Sequence, residues 1–203
     1  MLNQILFPYI IIVISAVVHE YAHGATAYYL GDSTARDADR LTLNPLKHVD
    51  LFGTVILPLS LLFMAGFFIG YAKPVPYNPD NLRDRKYGSL KVALAGPISN
   101  LFIALVFGLF LRFFPGFVLV SSVVPPILFT FIAYIVITNI WLALFNLIPF
   151  PPLDGSKVLY DLFPKLGARI MNLGASGIIL ALLIAFFLLP TLIDLVFRVI
   201  VGS

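Results

Sequence analysis

His19-Glu20-Tyr21-Ala22-His23 sets two imidazoles four residues apart, with a carboxylate beside the first. A helix turns about 100° per residue, so His19 and His23 stack one turn apart on one face. Two imidazoles so placed bind one zinc ion, and a Glu next to the first can act as base toward a zinc-bound water. The pattern is short enough to arise by chance, but its setting is unusual. Glu20 is the only glutamate in the chain, and two of the three histidines fall in this pentapeptide. All three groups lie inside an apolar run from about Ile5 to Tyr29, where an ionisable residue is costly and points to function.

The elements that must position this pentapeptide are membrane elements. The chain is 60% hydrophobic and 11% charged, with a mean hydropathy of +1.00. Those values describe an integral membrane protein and exclude an ordinary soluble enzyme. The net charge of +3 is no sign of nucleic-acid binding in such a chain, where its distribution across the bilayer matters more. Without cysteine there are no disulfides and no thiolate ligands. The N-terminal run lacks a basic leader and is read as a retained span.

We expect an all-α polytopic fold, a single membrane domain over 1–203, with about five transmembrane helices and a re-entrant, partly β element. The spans fall at about 5–30, 88–113, 127–148 and 170–189. The stretch 51–72 is apolar but broken by Gly53, Pro58, Gly66 and Gly70, so it either spans or re-enters. The last piece, 191–201, is interfacial or membrane-embedded. Three prolines between 149 and 152 forbid regular helix after the fourth apolar run.

Zinc at a catalytic site takes three protein ligands and a water. A third His six residues after His23 would fall at Tyr29, and no second glutamate exists. His48 or an aspartate must complete the set. Most aspartates sit in polar loops as solvated charges. Asp154 differs, because it follows an apolar span on backbone freed by prolines and precedes Gly155. For Asp154 to meet the histidines, 51–72 must return to the side it came from. The basic residues favour that topology independently. With re-entry, 11 of the 13 Lys and Arg share one side and only Arg112 and Arg198 lie opposite; with a full crossing the split is 8 to 5. The positive-inside rule then puts the site on the cytoplasmic side of a multi-pass cell-membrane protein, with the N-terminus outside.

His19–His23, Gly96-Pro97-Ile98-Ser99-Asn100, and Asn146-Leu147-Ile148-Pro149 leading to Leu153-Asp154-Gly155 together resemble the site-2 protease family of intramembrane zinc metalloproteases (peptidase family M50). Leu41–His48 and Ala72–Pro76 look like the small prokaryotic type without PDZ or CBS domains. The resemblance implies one zinc per chain held by His19, His23 and Asp154, Glu20 as the catalytic base, and Asn146 positioning substrate near the metal. It implies a re-entrant β-type element, with a returning strand near Phe67–Tyr77 whose edge pairs with an unwound substrate. The implied partners are the bilayer and a membrane-protein substrate with a transmembrane segment, cleaved within or near that segment. A transporter or channel with polar groups in a helix bundle, or a non-proteolytic metal-binding scaffold, are the competing classes; metal-dependent cleavage blocked by Glu20→Gln separates them.

Overall fold

The computed structural model describes residues 2–65, 70, 72–114 and 127–202. Its centre is a group of three long helices: α1 (Leu2–Tyr29), α4 (Gly88–Phe113) and α5 (Ile127–Asn146). Each buries a stripe at helical spacing and turns apolar side chains outward. In α1 the buried stripe is Ile11, Ser15, His19, His23 and Ala27. In α4 it is Gly96, Asn100, Ala104 and Gly108, small residues that let helix backbones approach closely without a hydrophobic driving force. In α5 it is Ile132, Val136, Asn139 and Ala143. These three are the described helices long and apolar enough to cross a bilayer.

Their directions follow from side-chain pairs. Phe7 stacks on Phe131 and Ser15 meets Asn139, so α1 and α5 run parallel. Asn100 reaches Ser15 while His23 reaches Val92, so α4 runs antiparallel to α1. Consequently α1 ends where α4 begins, and everything between Tyr29 and Gly88 starts and finishes at one end of the bundle. The end of α5, and with it Asp154, is at that same end.

Between α1 and α4 come a short helix α2 (Thr34–Asp37), a π-helical turn at Leu51–Ile56 and α3 (Leu57–Ala65). The Tyr9 hydroxyl donates to the Thr54 carbonyl, which puts this turn beside the far half of α1. Lys73 N–H donates to the His48 carbonyl at 2.9 Å, so the polypeptide comes back to the level it left. Loop ends are tied down as well: Gly31 terminates α1 at φ 108°, and Arg83 N–H donates to the Leu30 carbonyl.

Beyond Asp154 the chain forms α6 (Asp154–Leu162), α7 (Pro164–Met171), α8 (Ala175–Phe187) and α9 (Leu189–Val201). Burial pushes the Asp161 carboxyl of α6 up.

The stretch 170–189 is not one straight helix: α7 and α8 meet at a 102° bend, where Gly174 takes φ 51°. The 13 residues of α8 reach only about 20 Å, short of the roughly 30 Å hydrocarbon core. Ile193, Val196 and Ile200 of α9 pack on the α4–α5 core. Among the described residues the candidate membrane spans number three, or four if the bent pair is one. The returning strand near Phe67–Tyr77 falls partly outside the described residues. Among the described ones there is no strand, and 72–78 is irregular. Pro74 and Pro76 have no N–H to give a ladder, and Val75 gives its own to Glu20.

Candidate metal centre

His19 and His23 project from one face of α1 toward α4 and are 6% and 8% exposed; Asp154, at 7%, meets them from the first turn of α6. Asp154 arrives there because α5 stops at Asn146 and the prolines force a tight non-helical passage. Gly155 is essential to that passage, since a Cβ there would lie 2.3 Å from the Leu147 carbonyl oxygen. The Asp154 Oδ2 is 3.1 Å from the Nε2 of each histidine, and the two Nε2 atoms are 3.0 Å apart. The other carboxylate oxygen of Asp154 accepts from Lys157 at 3.3 Å.

The far nitrogen of each ring has its own partner. His23 Nδ1 is 2.6 Å from the Val92 carbonyl, and His19 Nδ1 is 2.6 Å from Asn100 Oδ1. Oxygen acceptors at both Nδ1 positions assign the ring protons there. Both Nε2 atoms then direct lone pairs at a carboxylate oxygen. Three electron-pair donors in mutual contact repel one another unless a cation lies among them.

The dimensions suit zinc. Tetrahedral ligands at about 2.0–2.1 Å from the ion are roughly 3.3 Å apart, close to the three separations found. Gly96 of α4 leaves the room: a Cβ there would be 2.4 Å from His23 Nε2 and 2.5 Å from His19 Nε2. His19, His23 and Asp154 form the group among the described residues able to hold a metal ion.

Glu20 follows His19 and so points about 100° around the helix. Its Oε2 accepts from the Val75 N–H at 2.7 Å. Val75 is pressed against α1, where a Cβ on Gly24 would be 2.9 Å from Val75 Cγ1. The carbonyl of Lys73 is held by Arg40 at 2.7 Å. The Pro-rich segment thus lies alongside the helix that carries the pentapeptide.

The other sequence candidates lie elsewhere. Asn146 donates to the Leu142 carbonyl of its own helix at 2.9 Å. His48 is buried and bonds the Thr42 carbonyl at 2.8 Å; it is not in the cluster. Sequence reasoning missed the parts played by Gly96, Val75, Ser15 and Asn139. Asn139 carried a signal of its own, as an amide in the middle of a mostly apolar helix.

Comparison with known proteins agrees with this geometry. The profile of peptidase family M50 matches residues 7–190. YwhC of Bacillus subtilis, named as a zinc metalloprotease, is 37% identical over 189 residues, covering 91% of this chain and 82% of the relative. Rip2 of Mycolicibacterium smegmatis, similarly named, is 30% identical over 146 residues, 71% of this chain and 52% of its own. MJ0611 of Methanocaldococcus jannaschii, again named as a zinc metalloprotease, is 39% identical over 102 residues, about half of each chain. No solved structure matches.

Proposed function

The chain belongs to peptidase family M50, a multi-pass membrane metalloprotease that uses zinc, and on that premise we propose that it cleaves peptide bonds within or near transmembrane segments of other membrane proteins. His19, His23 and Asp154 are the proposed zinc ligands and Glu20 the proposed base. The observation that carries this reading is the convergence of three donor atoms at 3.0–3.1 Å in a space that Gly96 keeps open.

Zinc, when bound, supplies Lewis acidity toward water and the scissile carbonyl. The chain's residues do the rest. Glu20 accepts a proton from the attacking water and returns it to the leaving amine nitrogen. The Val75 N–H holds its carboxylate in one orientation meanwhile. Asn100 and Val92 hold the two rings with Nε2 facing inward. Asn146 remains the proposed substrate-positioning group; reaching the substrate requires its amide to leave Leu142.

The whole of 1–203 is read as one membrane domain whose site opens to the cytoplasm, with the N-terminus outside. The chain between His48 and Lys73 is proposed to re-enter the membrane. The hydrogen bond joining its two ends and the contact of Thr54 with Tyr9 support that path. The partner is a transmembrane segment that unwinds to expose its peptide bonds. The segment from Ala72 to Tyr77 receives it through carbonyl acceptors, since its prolines have no N–H and Val75's is engaged.

Zinc content tests the reading. Purified wild type in detergent is expected to hold about one zinc per chain, and folded His23→Ala and Asp154→Ala proteins are expected to lose it. A folded wild type that neither carries nor takes up zinc overturns the proposal. Zinc retained by Asp154→Ala alone removes Asp154 from the ligand set.

A further inference from the structure

Behind His19, away from the metal-facing side, three polar side chains are buried together in the membrane bundle. Ser15 is 4% exposed, and Asn100 and Asn139 are both fully buried. Asn100 Nδ2 donates to Asn139 Oδ1 at 2.9 Å and lies 3.4 Å from the Ser15 carbonyl. Asn139 Nδ2 donates to Ser15 Oγ at 3.0 Å and to the Ile135 carbonyl at 2.9 Å. Asn100 Oδ1 then faces His19 Nδ1 at 2.6 Å.

An amide has nearly the same shape either way round, so only its partners decide which end is which. Here the decision starts at backbone carbonyls, which accept and never donate. The Ile135 carbonyl requires the NH2 end of Asn139. That turns Asn139 Oδ1 toward Asn100 and requires the NH2 end of Asn100 in return, which the Ser15 carbonyl also favours. Asn100 must therefore present oxygen to His19, and His19 must carry its proton on Nδ1. The lone pair is left on Nε2, the atom that faces Asp154. With Asn100 reversed, an NH2 group would face Nδ1, the proton would move to Nε2, and the ring could not donate an electron pair to a metal.

We propose that Asn139 is a positioning residue for the metal centre: by fixing the direction of the Asn100 amide it selects the His19 tautomer able to bind zinc. The proposal rests on the ligand assignment above. Among the described residues, Asn139 is the α5 side chain in this chain of hydrogen bonds, anchored by the Ile135 carbonyl of the same helix, so α5 contributes to the site at a distance as well as through the Asp154 turn that follows it.

The test is a double-mutant cycle on zinc affinity, measured by chelator competition with purified protein. Asn100→Ala is expected to weaken zinc binding about 10- to 100-fold. Asn139→Leu, similar in volume but unable to accept from Asn100, is expected to weaken it about tenfold. In the Asn100→Ala background, Asn139→Leu is expected to change affinity less than about twofold, because its route to the metal is already cut. Full additivity of the two substitutions, or unchanged affinity in Asn139→Leu, overturns the proposal while leaving the ligand assignment standing. Wild type that binds no zinc overturns both. A second measurement needs no core variant: 15N spectra of zinc-bound wild type, with only three histidines to assign. His19 is expected to carry its proton on Nδ1, and a His19 protonated at Nε2 overturns the proposal.

Discussion

Val75 donates its backbone N–H to Glu20 Oε2 at 2.7 Å, and it does so from between Pro74 and Pro76, neither of which has an N–H. The only amide hydrogen in that tripeptide is thus spent on the only glutamate in the chain. A base held in one orientation needs no reorganisation when the water is deprotonated. Val75→Pro removes the hydrogen without introducing a side chain foreign to the segment, and is expected to lower kcat about tenfold with zinc content unchanged. Val75→Ala keeps the hydrogen and is expected to stay within about twofold of wild type. Cleavage of a transmembrane reporter in detergent checks both; equal rates in wild type and Val75→Pro would remove any role for the contact.

Glu20→Gln separates binding from chemistry. The amide cannot accept a proton from water, yet Glu20 is not among the three converging donors. Cleavage is expected to fall by at least about 10²-fold, with zinc bound as in wild type. Retained cleavage would sink the assignment of the base.

Gly96→Ala tests the open space at the cluster. The added methyl carbon would stand 2.4 and 2.5 Å from the two Nε2 atoms, and the rings cannot easily turn away because Asn100 and Val92 hold them. Zinc and activity are expected to be lost together while the bundle stays folded. Gly177→Ala, where the nearest atom is 3.5 Å away, serves as the control and is expected to keep both.

What could be read from the sequence, and what could not, divides along physical lines. The juxtaposition of His19 and His23 was legible because helical spacing alone stacks them on one face. Asp154 was legible through topology, since a parity argument on charged loops has only two outcomes. The long apolar runs gave α4 and α5 nearly to the residue. The bend at Gly174 was not legible, because an apolar run reads alike whether straight or broken and glycine does not by itself specify a positive φ. In the described part of the stretch expected to return as a strand, 72–78 is irregular, and a local reason is visible in the sequence: Pro74 and Pro76 flank Val75 and have no N–H to donate. Asn139 and Ser15 were passed over because uncharged polar residues in apolar helices are common, and their role exists only once three helices are packed.

Asp32 predicts a pH effect on the loops at the Asp154 end of the bundle. It is fully buried. Burial alone would raise its pKa, but donors from Thr34, Asn81 and Asn78 outweigh that and hold the carboxyl below its ordinary range. The bonds to the Asn78 amide at 2.7 Å and the Asn81 side chain at 2.8 Å fasten the Pro-rich segment to the end of α1. A carboxylate with a folded pKa below its unfolded value, near 3.9, stabilises fully above about pH 5 and loses that contribution as pH falls through the folded value. Asp32→Asn is expected to destabilise by about 1–3 kcal/mol at pH 7, and its deficit against wild type should shrink below about pH 4. Unfolding midpoints in denaturing detergent at the two pH values check the sign.

The path of the chain between His48 and Lys73 can be settled with single thiols, because the sequence contains no cysteine and each introduced one reports alone. A hydrogen bond of 2.9 Å joins Lys73 N–H to the His48 carbonyl, so positions 47 and 73 cannot be separated by a bilayer if that bond exists in the membrane. A full crossing by 51–72 would place them about 30 Å apart. The helix directions make the same demand: α1 and α5 are parallel, so Asp154 can meet His19 and His23 at 3.1 Å only if the intervening chain returns to the side it left. Lys47→Cys, Lys73→Cys and Arg85→Cys, all exposed in wild type, are expected to react with a membrane-impermeant maleimide from the cytoplasmic side. Arg112→Cys, at the other end of α4 beside Val199, is expected to react only from outside. Labelling of positions 47 and 73 from opposite sides would break the re-entrant path and the shared end of α1 and α5 together. The metal centre would then have no way to form within one chain.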